Sequence, residues 1–414
     1  MTGEPPVLRN MPDINPQTSK QIWQLPFQNR NEGAWPMAVA FLGSDRRIAA
    51  GDRDGRLLIW ELPEPTDIPP IEQQTKSVGV APVPKLSLVG HTNGISRLAI
   101  TPDGKTLISA SFDKTIRFWD VAASPSGFTE VVVDHELRDA EARRAGKKVS
   151  PDDKDGPGIK IETIGSTHTL EGHRDWIDAM SLSTDGRRLL TGDQSSLVIA
   201  WDVAARKELS RWNGSLWNWI VATALTGDGE TAVVSEYRYK RDDFDIPCPA
   251  LKRFNVADGA EQLDLLKVQF PKLDPKQNTY GSAQMWRKFI ANGLVALDIS
   301  PDGKLVAAVQ GGETDNGQVH LLEMETGKLV RTISGHQSGA TDVKFTADGK
   351  FVISAGRDTV IRICQVEDGK EVAQLGKPRG GQFKDWTSSI ALSPDQRTLA
   401  ATDIGGWVHV WTFG

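Results

Sequence analysis

The chain has 414 residues, a quarter of them charged, with a formal net charge of −6 and a pI near 5.7. That balance, without a long basic stripe, argues against nucleic acid as a main partner, and no run of about 18 apolar residues is present to span a membrane. Two cysteines, Cys248 and Cys364, exclude a disulfide scaffold and are too few for a zinc site of the usual cysteine spacing.

Residues 1–19, with four prolines and little apolar content, read as a flexible lead-in. The opening "MTGEPPVLRN" lacks the apolar core of a signal peptide, so the expectation is a cytoplasmic protein, with an exported mature form left open. An apolar segment, "KQIWQLPF" (20–27), stands before the first repeat. From Trp35 onward one unit recurs seven times. Its leading and closing residues lie 25 positions apart in Trp35→Trp60, Gly94→Trp119, Trp176→Trp201, Gly339→Cys364 and Trp386→Trp411. Two more copies, Trp219→Phe254 and Gly293→Leu322, carry insertions.

Each copy has the same interior. An apolar run such as "ISRLAI" comes first, then a turn nine residues after the leading position. The turns are Asp103-Gly104, Asp185-Gly186, Asp228-Gly229, Asp302-Gly303, Asp348-Gly349 and, in the last copy, Asp395-Gln396. Aspartate-glycine between apolar runs signals a hairpin, because glycine takes positive φ at no steric cost. A β-branched run ("KTLISAS", "KFVISAG"), a second polar turn and a third run ("TIRFWDV", "LVIAWDV") follow. The spacing suits strands of about five or six residues and leaves no room for helices of ordinary length. The chain is therefore all-β, and a unit this short must pack on its neighbours to bury its apolar face.

The segment "GHTNGISRLAITPDGKTLISASFDKTIRFWDV" (90–121) resembles a repeat of the WD-repeat β-propeller family, and the seven registers carry the resemblance over residues 20–414. Gly90-His91, Gly172-His173 and Gly335-His336 supply the Gly-His pair, and Trp119-Asp120 and Trp201-Asp202 the closing dipeptide. The resemblance implies a single seven-bladed propeller over 20–414, its ring closed by residues 20–27 as the outer strand of the last blade. It also implies a buried hydrogen-bond network. Repeat two supplies His91, Ser109 or Ser111, Asp113 and Trp119. Repeat six keeps His336, Ser354 and Asp358 with Cys364 in place of tryptophan. Repeat three has His173 and Trp201 but Ser195 where the aspartate belongs, and the other four lack the histidine, which leaves apolar packing as their main support. A histidine beside aspartate and serine invites a catalytic-triad reading. Its recurrence in two repeats marks it instead as a structural element.

Four insertions interrupt the repeat: 62–86, 122–165, 236–250 and 262–290. By the family's geometry the first two lie on the bottom face. Within the second, "DHELRDAEARRAGKK" (134–148) reads as a solvated helix or a disordered loop. The other two are expected on the top face and carry Tyr237, Arg238, Tyr239, Trp286 and Arg287, the aromatic and basic side chains that binding surfaces favour. The leading tryptophans Trp35, Trp176, Trp219 and Trp386, with Trp217 beside them, are expected at the same face, where they either stack on a ligand or pack on a neighbour.

No Gly-x-Ser-x-Gly elbow, His-Glu-x-x-His pair or phosphate-binding glycine loop is present. "GGETDNG" (311–317) lacks the ligand spacing of a calcium loop and reads as a polar turn. The expectation is a non-catalytic, monomeric scaffold without metal or cofactor, binding a protein or peptide on its top face. A carbohydrate-binding propeller is the alternative.

Overall fold

The computed structural model describes residues 14–27, 35–43, 46–63, 82–131, 159–215, 218–237, 250–269, 293–312, 317–377 and 386–414. The protein is an all-β, seven-bladed propeller: six sheets have four strands and one has six. In blade 1, Pro36–Phe41, Arg47–Asp52, Leu57–Glu61 and Leu86–Val89 follow one another in sequence and in space. The four-stranded plan repeats in the sheets of residues 177–213, 219–264, 294–334 and 340–375. One short α-helix, Leu265–Gln269, follows the fourth blade among the described residues.

The aspartate turns form for a local reason. In each, the carboxylate accepts a hydrogen bond from a hydroxyl two residues earlier, as in Thr101 to Asp103 (2.6 Å), Ser183 to Asp185 (2.6 Å) and Ser393 to Asp395 (2.6 Å). The following glycine sits at positive φ, for instance 69° at Gly104, and Gln396 is held at 64° in the copy that lacks it. Second strands such as Arg188–Asp193 and Phe351–Gly356 are buried on both faces after their first residue, so they read as continuous apolar runs instead of alternating ones. Neighbouring blades approach closely there. A Cβ on Gly51 would lie 2.5 Å from Ile95, and one on Gly192 would lie 2.2 Å from Ile220.

The described residues fall into two compact units. One comprises 12–109, 117–169 and 388–414. In it, Lys20–Pro26 pairs antiparallel with Trp407–Thr412, so the first strand completes the last blade as expected. Trp23, Leu25 and Phe27 are buried in one cluster with Leu58, Trp60, Val408 and Val410. This unit also carries an unforeseen ribbon. The two ends of the 122–165 insertion are not loop but strands, Gly127–Val131 and Ile159–Gly165, paired antiparallel. The second runs parallel to Leu86–Val89 and makes the blade 1 sheet six-stranded. Ile161 and Ile164 are buried in the adjoining clusters, which is why this pair of strands docks. Residues 134–148 lie outside the described residues.

The other unit comprises Ala110–Ile116 and Leu170–Thr387 among the described residues. Its core is a run of inter-blade clusters, one centred on Leu190, Val198, Ile220 and Phe254, the next on Val233, Leu251, Leu294 and Val306. Burying a Leu-sized side chain contributes ~1.5–3 kcal/mol, so these repeated interfaces are the main source of stability. Leu25 is fully buried. Leu25→Ala is expected to cost about 2–5 kcal/mol, and removal of residues 1–28 to lower the melting temperature further. An unchanged melting curve for the truncated chain would show that the exchanged strand is dispensable.

Candidate functional site

Gly-His pairs open the site. A Cβ on Gly90 would lie 3.2 Å from Trp119, and Gly172 has φ 142°, so glycine lets the chain pass over the tryptophan while histidine turns inward. In the second repeat His91 Nε2 lies 2.7 Å from Ser109 Oγ, which also accepts from Trp119 Nε1 at 2.8 Å. Of the two candidate serines, Ser109 is therefore the network member. Asp113 accepts from the backbone N–H and hydroxyl of Thr115, at 3.0 and 2.6 Å. In the sixth repeat His336 Nδ1 donates to Asp358 (2.9 Å) and Nε2 faces Ser354 (2.9 Å). Gly356 is required there, since a Cβ would lie 2.3 Å from the imidazole. Cys364 is buried, and burial pushes its thiol up to about 11.

Repeat three corrects the sequence reading. It does not lack its aspartate. His173 Nδ1 donates to Asp193 Oδ2 (3.0 Å), Nε2 faces Thr191 Oγ1 (2.7 Å), and Trp201 Nε1 donates to that hydroxyl (2.8 Å). Ser195 is a supporting donor, through its N–H (2.8 Å) and hydroxyl (2.7 Å), to the other carboxylate oxygen. Asp193 closes the second strand two residues before the turn position where repeat six carries Asp358, and from either place a carboxylate reaches the same imidazole. Burial pushes Asp193 up, but His173, Ser195 and Leu197 N–H outweigh it and bring the carboxyl down to about 2.

The position of Asp193 exposes a register that the repeat reading overlooked. Eight residues after each turn aspartate stand Ser111, Asp193, Glu236, Gln310, Gly356 and Asp403, and Asp52 holds the place in blade 1. All but the glycine are buried polar side chains. Asp52 accepts from Arg56 Nε (2.7 Å) and from the backbone of Asp54 and Arg56, although burial still raises its carboxyl above the usual range. Glu236 accepts from the N–H of Ser215 (2.7 Å) and from Asn218 (3.3 Å). Asp403 accepts from His409 Nε2 (2.7 Å), and His409 Nδ1 accepts from Gln21 (2.9 Å) on the exchanged strand. Three of the four repeats without the Gly-His histidine therefore have their own buried carboxylate, and apolar packing is not their sole support.

The leading residues sit just before the first strands, except Trp219, which opens its own. Trp35 is 41% exposed, with the Arg53 guanidinium 4.7 Å from its ring centre. Trp176 is 44% exposed and stacks on Phe112 at 5.0 Å and 27°. Trp386 is half-buried, with Arg357 at 4.6 Å. Trp219 is half-buried opposite Tyr237 in the adjoining strand, and the Tyr237 ring occupies the space left by Gly293. Arg53, Phe112 and Arg357 each follow the buried register by one residue, a signal that was present in the sequence and went unused. Trp217, Arg238, Tyr239, Trp286 and Arg287 lie outside the described residues.

Comparison with known proteins agrees with this geometry. The family described as "WD domain, G-beta repeat" matches residues 82–120, 165–202 and 327–364, the three stretches that contain the closing position of a Gly-His repeat. This chain is a WD-repeat propeller. WD repeat-containing protein 1 of Xenopus tropicalis is 23% identical over 90% of this chain and 60% of its own length. Autophagy-related protein 16 of Arabidopsis thaliana is 24% identical over 63% of the propeller and 52% of its own length. A probable cytosolic iron-sulfur protein assembly protein 1 of Cryptococcus neoformans is 30% identical over 42% of the propeller and 38% of its own length. The propeller thus spans about half the length of the relatives it matches.

The Asp193 carboxylate is held at about 2, below the ~3.9 of an unfolded aspartate. A depressed carboxyl stabilises the fold above the unfolded value and loses that contribution as pH falls toward the folded one. Asp193→Asn is expected to destabilise by about 1–3 kcal/mol at pH 7, and to flatten the acid decline of the melting temperature between about pH 4 and pH 2. Ser195→Ala, which leaves the His173 contact in place, should cost less. Equal losses at the two positions would return the network role to Ser195.

Proposed function

We propose that this propeller is a non-catalytic interaction scaffold that binds a protein or peptide through the face bearing its leading tryptophans. The observation that carries the reading is the pairing of Trp176 with Phe112 and of Trp35 with Arg53. Each indole is braced on one side and remains more than two-fifths exposed. A braced aromatic surface loses little conformational freedom on binding, and an arginine laid over it adds N–H donors for a peptide's carbonyls and carboxylates. The cations at Trp35 and Trp386 favour a peptide over a sugar, which stacks on an open indole face. The non-catalytic reading rests on the burial of His173 and His336, whose ring nitrogens are engaged by Asp193 and Thr191 and by Asp358 and Ser354.

Capture from a lysate of the source organism tests this. A partner retained by the wild type is expected to be lost with Trp176→Ala and weakened by Arg53→Ala, with melting temperatures nearly unmoved. If the same proteins are captured by all three, the tryptophans only pack the fold and the proposal fails.

A further inference from the structure

A concave surface lined by none of the leading tryptophans lies within the unit that holds residues 219–264 and 294–334. A groove of about 820 Å³ runs between these two blades, with Leu305 and buried Met324 among its lining residues. Its walls are tied together, because Arg253 Nη1 donates to the carbonyls of Met324 and Glu325 (the latter at 3.3 Å). Gln262 is shared with a shallower cavity of about 380 Å³ that continues along Glu261–Asp264 to Val268. Glu261–Asp264 is the last strand of its sheet, so among the described residues one edge of its backbone has no strand beside it. Such an edge is a template for an added extended segment.

The chemistry of the walls selects what is added. The combined lining carries five carboxylates (Glu261, Asp264, Asp302, Glu323, Glu325) against two cations, Arg253 and Lys304. Arg253 is engaged by the two carbonyls, and Lys304 by Asp302 at 3.2 Å. Glu261 is paired with Lys252 at 3.0 Å, and Glu323 accepts from the Thr326 hydroxyl, a neutral donor, so the acidic charge of the wall stands on Glu323 and Glu325. Val268 (39% exposed) and Val330 (46%) also line it, two of the few large apolar side chains that stand out to solvent among the described residues. An extended chain places alternate side chains on opposite faces about 3.3 Å apart along its length. We propose that this groove docks an extended basic peptide segment, lysine or arginine alternating with aliphatic residues, added beside Glu261–Asp264. Its cations meet Glu323 and Glu325, and its aliphatic side chains meet Val268 and Val330.

Fluorescence anisotropy of a labelled peptide alternating lysine with leucine and valine tests the site in the full chain. Binding is expected at low salt and to weaken at high salt, as a partly screened contact must. The double reversal Glu323→Lys, Glu325→Lys should weaken it about tenfold or more, whereas Glu171→Lys, at an exposed acid elsewhere, and Trp176→Ala should leave it unchanged. Glu323→Gln with Glu325→Gln, of nearly unchanged shape, should act in the same direction and guards against a folding defect. The proposal is overturned if no binding occurs, if Glu171→Lys weakens binding as much as the double reversal, or if a glutamate-substituted peptide binds equally well. It is also overturned if the groove serves a second copy of the chain, seen as a dimer that the double reversal dissociates without any peptide binding.

Discussion

Each blade ends its second strand on a tight turn beside its neighbouring strands, and in most blades a buried polar side chain at that strand's end ties the surrounding chain together. Asp52, Asp193, Glu236 and Asp403 stand at one register, deep enough to be nearly or wholly out of solvent. Their partners differ: an arginine, a Gly-His histidine, a backbone amide with an asparagine, a strand histidine. The constraint behind this variety is the cost of an unpaired buried carboxylate, several kcal/mol or more. Once a carboxylate occupies the register, something must donate to it, and the donors available are the turns and strands beside it. The Gly-His repeats are one solution among several that this chain uses.

That interaction also shapes the surface above it. Arg53, Phe112, Tyr237 and Arg357, each one residue after the register, lie beside a leading residue. At Trp35, Trp176 and Trp386 an arginine or a phenylalanine braces the leading indole, and where glycine leads at Gly293, a tyrosine ring takes the space. The pairs change the chemistry of the junction from one repeat to the next. The same scaffold can thus carry aromatic, cationic or plain positions without disturbing the strands beneath, as expected when function is added to a repeat fold through its turns.

Much of the architecture was legible in one dimension. The 25-residue spacing, the aspartate-glycine turns and the β-branched runs determine strands and turns locally, because turn chemistry and side-chain period act over a few residues. The pairing of residues 20–27 with the last repeat was implied by the family resemblance, and the antiparallel register with Trp407–Thr412 bears it out. The leading tryptophans were visible as positions, though their exposure and their braces were not.

Contacts between residues far apart in sequence were decided only by the tertiary structure. Ser195 stood at the aspartate position in sequence, and the imidazole took Asp193, because hydrogen bonding answers to distance and burial and not to alignment. Within the 122–165 insertion the sequence suggested a solvated helix or a loop and no strand, yet its ends form a ribbon whose Ile161 and Ile164 are buried in clusters that also hold Trp60 and Leu57, far away in the chain. The acidic groove exists only where Glu261–Asp264 and the Glu323–Glu325 turn face one another across two blades. By itself the sequence determined the repeat and the turns, since those depend on local chemistry and periodicity. Which carboxylate meets which donor, which indole remains open and where charge collects depended on packing between blades, which no local pattern encodes.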